Sequence, residues 1–266
     1  MIRDITLGQY YPAESVLHKL DPRVKITGTF LYLLSLFLVR DVIGYVIAFI
    51  FLIAMIIKSR VPFKFMVKGL KGILVILIFT AVINIFLTPG EILYSVWKFN
   101  ITREGLRVAV RMIIRLIFLV LGTSLMTLTT TPNSLTDGLE KLMKPLKRLK
   151  VPVHEVAMMM SIALAFIPIL IEELDKIMKA QTARGADFDN RKLSVRVRNM
   201  VPVLVPLFVS AFRRAGDLAL AMEARCYHGD AGRTRMKPLK YAKRDYLAYV
   251  VMILYLAAVI AVGVIF

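Results

Sequence analysis

The chain has 266 residues, 58% of them apolar, with a mean hydropathy of +0.69 and a formal net charge of +18. That is too apolar for a soluble domain and too short for many membrane helices plus a large soluble domain, so the composition implies an integral membrane protein. One Cys excludes an internal disulfide, and His18, His154 and His228 offer no metal-ligand spacing, so no metal or other cofactor is expected. In a bilayer protein the basic excess points to loops facing anionic lipid or to an acidic partner, not to nucleic acid.

Residues 1–23 carry Arg3, Asp4, Glu14 and Asp21 and no apolar core run, so they are not read as a cleavable signal peptide. Asp21-Pro22 sits where a helix should start, with Arg23 and Lys25 as interfacial anchors. Two apolar runs, Val24–Val39 and Val42–Ile57, form a hairpin around Arg40-Asp41. Lys58, Arg60, Lys64, Lys68 and Lys71 follow without an acid, which reads as a cytoplasmic loop. A third run, Gly72–Leu87, ends at Thr88-Pro89-Gly90; its Asn84 is read as an interhelical hydrogen-bonding group. Residues 91–104 balance their charges around Trp97 and Lys98, as suits an external loop. The fourth span, about Leu106–Thr130, carries Arg103, Arg107, Arg111 and Arg115 as one basic stripe that must snorkel, line a groove or pair with acids.

From Thr131 the character changes. Ser134 and Asp137 open an amphipathic helix that ends in Lys141, Lys144, Lys147, Arg148 and Lys150 and lies on the membrane surface. Two apolar runs, Val156–Leu170 and Met200–Phe212, each continue into a charged amphipathic half. They fit partly buried helices better than full spans, although a transmembrane hairpin stays open, giving five spans or seven. The loop Gly229–Arg244 is basic and again marks the cytoplasmic side, and Tyr246–Phe266 is a span of 21 residues without charge. The expected fold is therefore all-α and polytopic, with about five transmembrane helices and an interfacial module. Its segments are an N-terminal bundle of residues 1–131, a module of long helices over 132–245 and a last span over 246–266. An even number of crossings before that span puts the N-terminus inside and the C-terminus outside, in a cell (inner) membrane.

The two long helices have similar endings, Ala180-Gln181-Thr182-Ala183-Arg184-Gly185 and, 41 positions on, Ala221-Met222-Glu223-Ala224-Arg225-Cys226. In each, two alanines three apart leave a smooth strip beside one Arg, a shape able to plug a groove. A cation near a helix end is also favourable against the helix dipole, and Gly just past the end is ordinary. The recurrence on two helices is what points beyond that explanation. No nucleophile with a neighbouring base is visible, since Ser124 and Ser161 lie among apolar residues, and there is no G-x-x-x-x-G-K-[ST] loop. A non-catalytic chain driven by a partner is expected. An insertase or assembly factor, for which the Arg107/Arg111/Arg115 stripe would suit a lipid-facing groove, and a membrane-embedded lipid-modifying enzyme are the alternatives.

The Asp21-Pro22-Arg23-Val24-Lys25 opening, the insert from Val153 to Phe188 and the two Ala-Arg endings together resemble the transmembrane T component of energy-coupling factor (ECF) transporters, ATP-driven importers of vitamins and metal ions. The resemblance covers nearly the whole chain and departs at Cys226, where the first motif has Gly185. It implies two ABC-type ATPase subunits as partners, a substrate-binding S component, and the bilayer. It also implies that Ala183, Arg184, Gly185, Ala224, Arg225 and Cys226 form the ATPase-coupling ends. Small and Met residues of the insert, Met158, Met159, Ala163 and Ala165, are the expected S-component contact, because they can repack against different partners.

Overall fold

The computed structural model describes residues 10–39, 41–96, 99–188, 192–227, 229 and 238–265. Arg40, Trp97, Lys98 and His228 lie outside them. The architecture is all-α: α1 (Pro22–Leu38), α2 (Val42–Ser59), α3 (Phe63–Leu87), α4 (Arg103–Thr129), α5 (Pro132–Met143), α6 (Val153–Ala183), α7 (Leu193–Ala224) and α8 (Lys243–Ile265). Among the described residues six helices, α2, α3, α4, α6, α7 and α8, are long and apolar enough to cross a membrane. α1, with 17 residues, falls just short. The two long helices of the insert thus qualify by length, because each runs unbroken through its proline positions.

By compactness the chain divides into two units, one of Gly8–Gly138 with Leu239–Phe266, the other built on Leu139–Pro238. In the first, α1, α2, α4 and α8 share an apolar core centred on Leu36, Ala48, Leu52, Phe118, Leu121, Tyr255 and Val259. Phe51 stacks on Tyr255 with 4.2 Å between ring centroids, and Tyr32 lies 5.9 Å from Phe51. Gly122 of α4 makes that cluster possible, since a Cβ there would come within 2.8 Å of the Tyr32 ring. Ser35 donates to the Tyr32 carbonyl at 2.6 Å and accepts from the Tyr255 hydroxyl at 2.7 Å, whereas the buried hydroxyls of Tyr32 and Tyr45 find no partner among the described residues.

The Asp21-to-Lys25 opening organises one end of this unit. Asp21 caps α1 by accepting the Arg23 N–H at 2.9 Å, and Pro22 fills the first helical position, where no N–H is needed. The Arg23 guanidinium returns to the Asp21 carboxylate at 2.7 Å and lies over the Tyr241 ring, 3.8 Å from its centroid. Burial raises the Asp21 carboxyl pKa, but the Arg23 bonds and charge outweigh it and hold the group below its ordinary value. Lys25 donates to the carbonyls of His18, at 3.1 Å, and of Thr129, at 2.8 Å, so a cation closes the C-terminus of α4. His18 Nε2 donates to the Tyr11 carbonyl at 3.0 Å and its Nδ1 accepts from Ser15 at 2.7 Å, a neutral tautomer. Burial, reinforced by Lys25, keeps its pKa below the usual histidine value.

Asp245, in the first turn of α8 and only 1% exposed, joins the two ends of this unit. It accepts the Asp21 N–H at 2.8 Å and the Ala242 N–H at 2.7 Å. The sequence reading took Asp21-Pro22 as a helix start with anchors, which holds, but it gave Asp245 no role.

Four expectations change in detail. α3 begins nine residues before Gly72, so Lys64, Lys68 and Lys71 belong to its first turns and not to a loop; Lys64 and Lys71 are exposed. Asn84 bonds the Thr80 carbonyl of its own helix at 2.7 Å, not a neighbouring one. Residues after Gly90 form a two-stranded antiparallel hairpin, β1 (Ile92–Val96) and β2 (Phe99–Thr102), with Val96 opposite Phe99. The alternation of Ile92, Tyr94 and Val96 was the signal for it. Finally, α5 starts at Pro132, with the Thr131 hydroxyl accepting the Ser134 N–H at 3.3 Å, so Thr131 and not Ser134 is the cap.

The arginine stripe of α4 divides. Arg103 pairs with Glu91 at 3.9 Å, while Arg115 donates to the Val39 carbonyl at the C-terminus of α1, at 3.4 Å, and lies 5.5 Å from the Phe37 centroid. Arg107 is exposed and Arg111 half-buried.

Replacing Asp245 by Ala removes the acceptor of two backbone N–H groups. It is expected to cost about 1–3 kcal/mol of stability for each donor left buried, while Asn, which keeps one acceptor oxygen, costs less. Thermal unfolding of the detergent-solubilised chain measures this. An Ala variant as stable as the parent would show that the clasp carries no stability.

Candidate functional site

The matched endings lie in the second unit. α6 and α7 run for 31 and 32 residues and cross at Glu173 and Arg214, whose side chains approach to 3.3 Å. These positions are themselves 41 apart in sequence, the offset of the two motifs, so the helices meet at corresponding points. Gln181 donates to the Pro202 carbonyl at 3.3 Å. That carbonyl is open because Pro206, four residues on, has no N–H to give it. Moving forward along α6 from Glu173 to Gln181 thus means moving backward along α7 from Arg214 to Pro202, so the helices are antiparallel. Asn199 adds a bond to the Asp187 carbonyl at 2.7 Å, bracing the connection after α6.

Each motif lies eleven residues beyond the crossing, about 16 Å along its helix at 1.5 Å per residue. Because the helices are antiparallel, the two ends point in opposite directions and are separated by up to about 33 Å.

Both ends close in the same way. Arg184 is the C-cap of α6; the Gly185 N–H bonds the Thr182 carbonyl at 2.9 Å and the Ala186 N–H bonds the Gln181 carbonyl at 3.0 Å. Arg225 caps α7; the Cys226 N–H bonds Glu223 at 2.8 Å and the Tyr227 N–H bonds Met222 at 3.1 Å. This paired pattern is a Schellman closure, which places the residue after the cap in the left-handed region. Gly185 has φ 90° and Cys226 φ 55°. The departure at Cys226 therefore occupies the one position where glycine is favoured, and Cys holds the same turn at a backbone cost.

Ala183, Arg184, Gly185, Ala224, Arg225 and Cys226 are all exposed. Neither Arg184 nor Arg225 spends its guanidinium on an ion pair or side-chain hydrogen bond among the described residues. The two cations thus project from rigid, capped ends, each beside an exposed alanine.

The four residues expected to meet the S component are less unified. Met159 and Ala163 share one stripe of α6, while Met158 and Ala165 lie on another about 120° away. Met159, Ala163 and Ala165 are exposed and Met158 is half-buried. A surface the sequence reading missed lies on α7. Val197, Val201, Leu204, Val205, Phe208 and Phe212 are all exposed and recur at three- and four-residue spacing, forming a single apolar stripe. The sequence marks Met200–Phe212 as an apolar run expected to be partly buried, and the structure instead leaves this face of it exposed.

A protein-family model described as CbiQ, cobalt transport protein, matches residues 13–237. A protein of Ruminiclostridium cellulolyticum, described as the energy-coupling factor transporter transmembrane protein EcfT, is 52% identical over 267 residues, with all of both chains covered. Proteins of the same description from Clostridium kluyveri and Bacillus subtilis are 55% and 46% identical, covering 93% and 98% of each chain. The chain belongs to this family. It is thus a multi-pass membrane protein and the non-catalytic transmembrane component of an ECF transporter.

The closure geometry makes a prediction of opposite signs at the two ends. Cys226→Gly relieves a left-handed non-glycine residue and is expected to stabilise the α7 end by about 1 kcal/mol, whereas Gly185→Ala costs the α6 end about the same. Hydrogen exchange at the Tyr227 and Ala186 amides reads both. Equal exchange in parent and variants would show that these turns are not closed as described.

Proposed function

We propose that the α6–α7 pair is the coupling element of this transmembrane component, seating Arg184 and Arg225 in two ABC-type ATPase subunits and carrying their ATP-driven movement to a substrate-binding S component. The observation that carries this reading is the pair of exposed guanidinium groups, without an ion pair among the described residues, on identically closed, oppositely directed helix ends. Two antiparallel helices crossing at corresponding points give two equivalent ends, as two ATPases side by side require. When the ATPases approach or separate, packed helices would pass the displacement on as rigid bodies. The Gln181 and Asn199 bonds would keep the first end from bending independently of α7.

The S component would pack on the exposed stripe of α7 with Met159 and Ala163 of α6, an apolar surface able to slide against a partner. The transported substrate would be a vitamin or metal ion, the latter in keeping with the cobalt named by the family description. In this reading residues 1–131 and 246–266 anchor the complex in the bilayer of the cell membrane and 132–245 work as the moving module. The N-terminus and both Arg ends face the cytoplasm, and the C-terminus lies outside.

Copurification of the ATPase pair and substrate uptake test the coupling. A guanidinium buried in a partner groove costs about 2–5 kcal/mol when truncated, because the groove's acceptors lose their partner. Arg184→Ala and Arg225→Ala are expected to assemble but transport poorly, and the double variant to lose the ATPases. Arg184→Lys keeps the charge and loses the planar fork, so it is expected to be impaired. Phe208→Asp is expected to release the S component and spare the ATPases. A double Ala variant that assembles and transports normally returns both arginines to the role of helix ends.

The orientation has its own test. In a Cys226→Ser background, a cysteine at Lys64 is expected to resist an impermeant thiol reagent in intact cells, and one at Lys98 to react. Labelling of position 64 from outside inverts the topology.

A further inference from the structure

In the first unit, the N-terminal ends of α1 and α8 and the C-terminal ends of α2 and α4 come together around a cavity of about 160 Å³. Its walls are apolar, with Leu17, Val24, Leu52, Met55, Leu125 and Met252 among them. Three cations also line it, Lys25, Lys58 and Arg244, and among the described residues no carboxylate does. All three are at helix ends: Lys25 in the first turn of α1, Lys58 in the last turn of α2 and Arg244 in the first turn of α8. In a bilayer, helix ends lie at headgroup depth and the apolar walls run inward from there.

The charges are not spent internally. Lys58 and Arg244 are exposed and form no ion pair among the described residues. Lys25 uses two of its three N–H groups on the carbonyls of His18 and Thr129, which leaves one donor. The nearby carboxylates are already engaged, Asp21 by Arg23 and Asp245 by two backbone N–H groups. A purely apolar occupant would leave three cations unanswered, and a free anion would leave an apolar cavity open to water. An anionic amphiphile satisfies both. Basic pockets between membrane helices on the leaflet side that carries the positive charge are suited to acidic lipid headgroups.

We propose that this cavity is a binding site for one anionic phospholipid, whose phosphate sits among Lys58, Arg244 and the remaining Lys25 donor while part of an acyl chain enters between α1, α2, α4 and α8. The bound lipid would bridge these four helix ends beside the network around Asp21, Asp245 and Lys25.

Native mass spectrometry of the delipidated full chain tests this, with dioleoyl phosphatidylglycerol and dioleoyl phosphatidylcholine titrated separately. The expected result is one saturable phosphatidylglycerol per chain, held at least about tenfold more tightly than phosphatidylcholine. Lys58→Ala with Arg244→Ala, both at exposed positions, is expected to remove that preference without changing the melting temperature of the lipid-free chain. Met55→Trp, which fills the cavity, and Leu247→Trp, which narrows its mouth from an exposed position, are expected to lower phosphatidylglycerol retention. Inorganic phosphate is expected not to compete. Equal retention of the two lipids, or an unchanged double Ala variant, overturns the proposal. Displacement by inorganic phosphate together with normal retention in both Trp variants also overturns it, because the headgroup alone would then account for binding.

Discussion

Much of the first unit depends on one buried carboxylate. Asp245 gathers the N–H groups of Asp21 and Ala242, and so brings the start of α1 to the start of α8 although 224 positions separate Asp21 from Asp245. A carboxylate inside a protein is costly unless its lone pairs are filled, and two short N–H bonds at 1% exposure meet that condition. Around it the other charges fall into place. Asp21 is left free to hold Arg23, Arg23 lies on Tyr241, and Lys25 turns to the Thr129 carbonyl that ends α4. The helix termini supply most of the partners, which is how a membrane bundle accommodates ionised groups without pairing every one with a counter-ion.

The second unit is built on a different constraint. α6 and α7 contain prolines at 168, 202 and 206, yet both stay helical, and the carbonyl freed by Pro206 is taken by Gln181 of the partner helix. A defect in one helix thus becomes a tie between two. Together with the Glu173–Arg214 pair, it orients helices whose many exposed apolar residues would otherwise slide on one another. A half-exposed pair of this kind adds little stability. Its effect here lies in setting the crossing, and so in aiming the two Arg-bearing ends of an ECF transmembrane component in opposite directions.

The two units meet the membrane environment in different ways. The first pairs Ser35 with Tyr255 and closes the clasp at Asp245 inside itself, though the buried Tyr32 and Tyr45 hydroxyls go without a partner among the described residues. The second leaves Arg184, Arg225 and an apolar stripe of α7 exposed.

The class of the protein was legible in the sequence, because bilayer solvation imposes long apolar runs and basic flanks that composition alone reports. The two Ala-Arg endings were also legible, since a helix end is specified locally by the residues of its last turn. Residues far apart in the chain were not. Asp245 looks like a lone acid before an apolar span, and only the fold shows that its acceptors face Asp21. The antiparallel crossing of α6 and α7 could not be read from either helix, because it depends on which carbonyl a proline frees and on which side chain is then within reach. Cys226 shows both levels at once. The sequence marked it as a departure, and only its backbone, at φ 55°, shows that it stands in the turn's left-handed position and what that substitution costs.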